Sequence, residues 1–452
     1  MENLEAWDKK YLWHPFTQMQ QYQNEEIPVI ERGEGSFLYD TKGRKYLDGV
    51  SSLWVTVHGH CRKEINDAIR NQLDKIAHST LLGLANVPST LLAKKLVEIT
   101  PPGLSKVFYS DAGATSVEIA LKISFQYWHQ AREGKDRQKQ KFIYLEDSYH
   151  GDTIGSVSVG GMELFHGLYK PLLFEGYKIP SPNCYRCPMG KEKESCNMKC
   201  LQPLEEILSS KGREIAALII EPLVQGAAGM IVSPPGYLKR VRELCTKHAV
   251  LMIADEVAVG FGRTGQMFAC EEEEVSPDLM CLAKGITGGY LPLAVTLTTD
   301  KIFEAFLGSY AEKKTFYHGH TYTGNPLACA AALANLELFE KDQLIAGLQP
   351  KIKLLAEGLA KFTDLPWVGD IRQKGMMVGI ELVQNKDIKE LFPFALNVGH
   401  RVTLEARKRG LIIRPLGNVI VLMPILSMSK RELRELLDIT YVSIKEACES
   451  LG

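Results

Sequence analysis

The sequence lacks a surplus of charge of either sign: 53 lysine and arginine residues face 54 aspartate and glutamate residues, for a net charge of -1. That balance removes the electrostatic footprint of a nucleic-acid-binding protein and leaves small molecules as the expected partners. No run approaches the roughly 20 apolar residues that a membrane span requires. The opening MENLEAWDKKYLWHPF mixes acidic and basic residues without an apolar core of signal length. A cytosolic protein free of the membrane is expected. No internal repeat or low-complexity tract breaks the chain, so all of it is expected to fold. Cysteine is not scarce, at 10, but Cys245, Cys270, Cys281 and Cys329 sit inside apolar runs. That is the pattern of small buried hydrophobes and not of a disulfide frame.

What is present points to a large α/β protein. At 452 residues the chain exceeds the roughly 250–300 at which a single hydrophobic core stops growing, so at least two domains are expected. Helical spacing of Ile65, Ala68, Ile69, Leu73 and Ile76 predicts an amphipathic helix, as does that of Leu433, Leu436, Leu437, Thr440, Ile444 and Ala447. Between them lie short runs apolar on both faces: KFIYL (141–145), IAALIIE (215–221), VLMIADE (250–256) and DLMCLAKG (278–285). Such runs, alternating with helical patterns, predict parallel strands in a sheet covered on both sides. The last third reads differently, with strands in 369–382 and 411–426 around the helix LNVGHRVTLEARKRG, and predicts a smaller α+β domain. Residues 182–202, rich in Pro, Cys and charge, read as a surface excursion.

Polar residues at the ends of buried strands carry the chemistry, because open α/β sheets bind ligands beyond the carboxyl ends of their strands. Asp255 ends VLMIAD and needs a cation to offset its desolvation, which a protonated ring nitrogen would supply. Lys284 ends LMCLAK, where a desolvated amine has a lowered pKa and becomes a nucleophile. Alone, the first is more often a cap or ion-pair partner and the second a solvated side chain. Gly113 and Ala114 stand at a small-residue turn that opens a helix, an arrangement suited to a phosphate, and Thr321 lies ahead of another helix. Tyr149 and Val257 are placed to cover the two faces of a flat ring.

Together, GATSVEIALK, YHGDT, IIEPLVQGAAGM, ADEVAVGFGRTG, LAKGITGGYLPLA and HGHTYTGNP resemble the class III aminotransferases of fold type I. These enzymes depend on pyridoxal 5'-phosphate (PLP). The resemblance covers nearly the whole chain in the family's order. It implies a large cofactor-binding domain at 71–335 and a small domain at 336–452, to which residues 1–70 contribute along with part of the substrate pocket. It implies that Lys284 bonds the cofactor aldehyde and moves the substrate proton, that Asp255 pairs with the ring nitrogen, and that Tyr149 stacks on the ring. Gly113, Ala114 and Thr321 would bind the phosphate, Thr321 from the second subunit of a homodimer. Ala112 departs from the family, where serine is frequent.

Within the class, HPFTQM (14–19), GVSSLWVTVHGH (49–60), AHSTLLG (77–83) and RPLG resemble the branch that aminates 8-amino-7-oxononanoate to 7,8-diaminononanoate in biotin synthesis. On that resemblance Arg414 grips the acceptor carboxylate as a fork, and Trp54 and Phe16 line its aliphatic chain. Asp152 would meet a cationic amino group, and Gly319 would border the substrate. Phe16 where Tyr is frequent, and Leu53 before Trp54 where a second Trp is frequent, leave the amino donor open between S-adenosylmethionine and lysine. Another ω-amino acid transaminase remains the alternative reading, and a fold that has lost catalysis a more distant one. No catalytic metal is implied. Cys184, Cys187, Cys196 and Cys200 have spacings that suit either a structural metal or free thiols.

Overall fold

The computed structural model describes residues 3–193 and 195–451. Its centre is a seven-stranded sheet built from β1 (Leu104–Ser110), β2 (Lys141–Leu145), β3 (Tyr177–Ile179), β4 (Ile215–Ile220), β5 (Leu251–Asp255), β6 (Leu279–Leu282) and β7 (Ala294–Thr299). Across the sheet the order is β1-β7-β6-β5-β4-β2-β3. All pairings are parallel except those of β7, which runs antiparallel to both of its neighbours. β4, β5 and β6 are buried at every position, as strands covered on both faces must be.

The four apolar runs singled out in the sequence are β2, β4, β5 and β6. β1, β3 and β7 were not anticipated. β7, AVTLTT, carries alternating threonines, but Thr296 and Thr298 are buried and bond backbone carbonyls, so polarity disguised a core strand.

Strand register fixes the site. β5 and β6 are parallel neighbours with Asp255 opposite Cys281, so Asp255 and Lys284 emerge at the same carboxyl edge. The 18-residue helix Gly113–Gln130 begins at that edge and packs its buried face against the sheet.

The chain ends form the periphery. An antiparallel meander of Ile30–Glu34, Phe37–Asp40 and Lys45–Asp48 is extended by Leu411–Ile412, paired parallel to its third strand. A separate sheet contains Val368–Lys374, Met377–Asn385, Arg414–Leu416 and Val419–Leu422. The helices Val398–Lys408 and Lys430–Glu449 complete this part. Among the described residues no helix is long and apolar enough to cross a membrane.

Candidate active site

A cavity of about 650 Å³ opens at the carboxyl edge of the sheet and is lined by Asp255, Lys284, Tyr149 and Trp54, together with the first turn of the Gly113–Gln130 helix. Asp255 is 4% exposed. Its Oδ2 lies 2.6 Å from His150 Nδ1, and its Oδ1 accepts the Val257 amide at 3.0 Å. The other His150 nitrogen, Nε2, is buried without a partner among the described residues. Lys284 follows β6 with φ +46°, in the left-handed region. Burial pulls its amine below the ordinary lysine pKa, against the opposing pull of the Asp255 and Glu221 carboxylates, so a larger share of neutral amine is available.

Glu221, one residue past β4, is buried, and its carboxyl is pushed up to about 7 by that burial. It accepts the Tyr149 amide at 3.1 Å and the Gly226 amide at 2.9 Å. Glu221 and His150 were not assigned from the sequence, although both lie inside motifs singled out there. The signal for Glu221 was an acid ending a fully apolar strand, the pattern that marked Asp255.

The cavity is also lined by the first-turn amides of Gly113 and Ala114, which have no intrahelical acceptors and sit at the positive end of the helix. The Thr115 hydroxyl takes the Ala112 amide at 3.1 Å, serving the cap at the place where a serine was expected. Space here is tight. A Cβ on Gly113 would meet Val257 Cγ1 at 2.6 Å, and one on Gly151, at φ +119°, would meet Ala114 Cβ at 2.3 Å. Tyr149 and Val257 both line the cavity.

Arg414, in the strand Arg414–Leu416, lies 5.9 Å from the Phe16 ring. Phe16 continues through Phe165 at 5.4 Å to Tyr149 at 6.2 Å. Tyr149 donates its hydroxyl to Asp152 at 2.7 Å. Arg414 forms no ion pair among the described residues, and its Nε is buried without a partner. Burial lowers the pKa of the guanidinium, and only Tyr149 opposes that effect. The ion pair that would have made Arg414 a structural residue of the small domain is therefore not formed. A desolvated cation left open beside an aromatic wall is instead suited to a ligand carboxylate.

Trp54 reaches the cavity through an unusual turn. Ser51, Ser52, Leu53 and Trp54 have φ of 50°, 48°, 74° and 71°, a left-handed helical turn that costs L-residues about 1–2 kcal/mol each. The turn is closed by the Trp54 amide donating to Val50 O at 2.8 Å and the Val55 amide to Ser51 O at 3.0 Å. Trp54 is 6% exposed, and its ring centroid lies 4.9 Å from Lys284 Nζ.

Four expected residues do not line the cavity: Arg414 and Phe16 lie together outside its lining, and Gly319 and Thr321 are exposed, on the loop before the helix Pro326–Lys341. That loop is bonded to the Gly113–Gln130 helix by Lys122 donating to His318 Nδ1 at 2.9 Å, and His320 Nδ1 lies 2.8 Å from Asp111, which lines the cavity. The four clustered cysteines line one small cavity of about 170 Å³ and are all free thiols. No three potential ligands among the described residues are gathered to hold a metal ion.

A flat anionic pyridine aldehyde fits this set. Tyr149 and Val257 supply two walls, Asp255 an acid held by two donors, Lys284 a desolvated amine, and the helix start a phosphate cradle that no side chain fills. A buried sheet edge of this topology with this acid–amine pair defines a PLP-dependent transferase. Residues 19–443 match the model of the family described as Aminotransferase class-III, and the chain belongs to that family.

Several relatives carry the name adenosylmethionine-8-amino-7-oxononanoate aminotransferase. The Geobacter sulfurreducens protein is 56% identical, with 97% of this chain and 96% of its own length covered. The Aquifex aeolicus protein is 55% identical, with 98% of each covered. The crystal structure of the Methanocaldococcus jannaschii protein of that name superimposes with a TM-score of 0.93 at 52% identity, covering 98% of both chains. The ω-transaminase of Pseudomonas jessenii in complex with PMP has a TM-score of 0.94 at 30% identity, covering 100% of this chain and 99% of its own.

Proposed function

We propose that this aminotransferase transfers an amino group to 8-amino-7-oxononanoate, forming 7,8-diaminononanoate for biotin synthesis. The observation that carries this reading is Arg414, a desolvated guanidinium without a carboxylate partner among the described residues, set beside Phe16 and Tyr149 as an acceptor carboxylate would need it. The names of relatives at 52–56% identity over almost the full length support the same acceptor. S-adenosylmethionine is the donor those names carry. Lysine is the second candidate, because Phe16 offers no hydroxyl to a donor.

PLP, when bound, withdraws electrons from the substrate carbon that carries the amine and so acidifies its proton. Asp255, fixed by His150 and Val257, keeps a proton on the ring nitrogen. Lys284, with its lowered pKa, accepts the acidified proton at Nζ and returns it on the other side of the transfer. Tyr149 would cover one ring face, and Gly113 and Ala114 would offer their amides to the phosphate. Asp152 faces the cationic end of a donor or acceptor. The reaction is ping-pong, the donor product leaving before the acceptor enters through the same cavity.

The site is completed in a homodimer. Thr321, with Gly319 beside it on an exposed loop, would reach the phosphate of the second copy. The chain divides near residues 70 and 335, residues 1–70 joining the small domain, and the enzyme works in the cytosol. Steady-state assays with each donor test the function. Turnover of 8-amino-7-oxononanoate with S-adenosylmethionine or lysine is expected, and turnover with neither refutes the assignment.

A further inference from the structure

Four consecutive left-handed residues without a glycine persist only where their surroundings over-determine them. In this chain two fully buried charges do so. Asp48, at 0% exposure, accepts the Ser52 amide at 2.9 Å and the Ser52 hydroxyl at 2.8 Å, and lies 2.9 Å from His60 Nε2. Arg263, at 1% exposure, donates to Ser51 Oγ at 3.2 Å, Thr56 O at 2.9 Å and Pro424 O at 2.8 Å. Ser51 Oγ in turn donates to Met423 O at 2.6 Å. Every bonded partner of Arg263 is neutral, and Asp48 is the opposite charge that steadies it. The turn thus runs between an acid that grips Ser52 and a base that grips Ser51 and Thr56. Its hand decides which side chain enters the cavity: Trp54 is 6% exposed and Leu53 44%.

We propose that Asp48, Ser52 and Arg263 are positioning residues of the active site, holding Ser51–Trp54 left-handed so that the Trp54 indole stands over the Lys284 amine and walls the acceptor channel. None of the three lines the cavity; they act through Trp54. The inference rests on Trp54 bordering the acceptor, as proposed above.

The test compares Asp48→Asn and Ser52→Ala with Asp40→Asn. Asp40 is an equally buried acid, 1% exposed, bonded to Arg44 and Tyr46 in the N-terminal meander. Losing a hydrogen bond to the carboxylate should raise the acceptor KM roughly tenfold or more in Asp48→Asn, with kcat changed less. In cofactor-free protein, acrylamide should quench more tryptophan fluorescence, and the gain should vanish when Trp54→Phe is added. Leu53→Gly, which tolerates positive φ, should restore KM in the Asp48→Asn background. The proposal is overturned if Asp48→Asn behaves as Asp40→Asn does, losing stability with acceptor KM and quenching unchanged, or if Leu53→Gly gives no rescue. Should Asp48→Asn fail to fold, Ser52→Ala decides by the same two readouts. Quenching of the cofactor-free protein does not depend on the acceptor's identity. A quenching change without turnover of 8-amino-7-oxononanoate therefore refutes the proposed function and leaves the positioning role standing.

Discussion

Replacing Arg414 by methionine tests the acceptor assignment most directly, because it removes the charge and keeps an unbranched stem beside Phe16. A guanidinium that grips a carboxylate through two parallel hydrogen bonds contributes about 1.5–3 kcal/mol for each charged bond. Taking the lower figure for both gives about 3 kcal/mol, so the acceptor KM should rise roughly a hundredfold. The donor half-reaction, which needs no acceptor carboxylate, should change far less. Stability gives an independent check. Arg414 has no ion-pair partner among the described residues, and burial disfavours its charge, so removing it strands no carboxylate. The melting temperature should hold or rise, whereas breaking a buried ion pair would lower it. An acceptor analogue with an amide in place of the carboxylate should be turned over equally by wild type and variant. The reasoning is refuted if Arg414→Met leaves the acceptor KM unchanged, or if the variant loses stability in proportion to its activity.

Lys284→Ala should abolish turnover and the visible absorbance of bound cofactor; a variant that keeps both would remove the amine from the chemistry. Gly113→Ala should weaken cofactor retention on dialysis, because the new Cβ falls 2.6 Å from Val257 Cγ1, and Val257→Ala should recover it by opening that wall. Glu221→Gln should change how stability depends on pH. The folded Glu221 carboxyl is raised from 4.5 to about 7, so its protonated form favours folding: the contribution is complete below about 4.5 and lost as pH rises through about 7. Relative to Glu221→Gln, the wild type should therefore lose about 3 kcal/mol across that window in urea denaturation. A pH-independent difference between the two proteins would contradict the raised carboxyl.

The parts of the site legible in the sequence were those where chemistry conflicts with burial. Asp255 and Lys284 stood out because a charge ends an apolar run, β5 and β6 were legible as runs apolar on both faces, and Arg414 came only from the family resemblance of the RPLG segment. Glu221 obeys that rule too, but its role passes through backbone amides of Tyr149 and Gly226, a relation without sequence spacing. His150 sits 105 positions from the aspartate it touches, so only the fold reveals the pair. β7 was missed because buried threonines bond carbonyls and look polar in a linear reading. The hand of the Ser51–Trp54 turn was illegible for a stronger reason. Serine, leucine and tryptophan disfavour positive φ, so local propensity pointed away from the observed conformation.

That last disagreement locates where tertiary structure overrides the chain. Ser51 and Ser52 have no intrinsic reason to turn left-handed, but Asp48 and Arg263, at 0% and 1% exposure, must spend their hydrogen-bonding capacity on whatever lies between them. An Asp48 whose only acceptor duty was to His60 would leave a buried carboxylate under-satisfied, and an Arg263 without Ser51 and Thr56 would do the same for a guanidinium. The penalty for leaving such charges unmet is several kcal/mol per ion, comparable with about 1–2 kcal/mol for each left-handed residue. Two buried charges can therefore sustain four strained residues. The same reasoning separates them from Arg414, which is also desolvated but whose buried Nε has no acceptor among the described residues, and only the open group is left for a ligand.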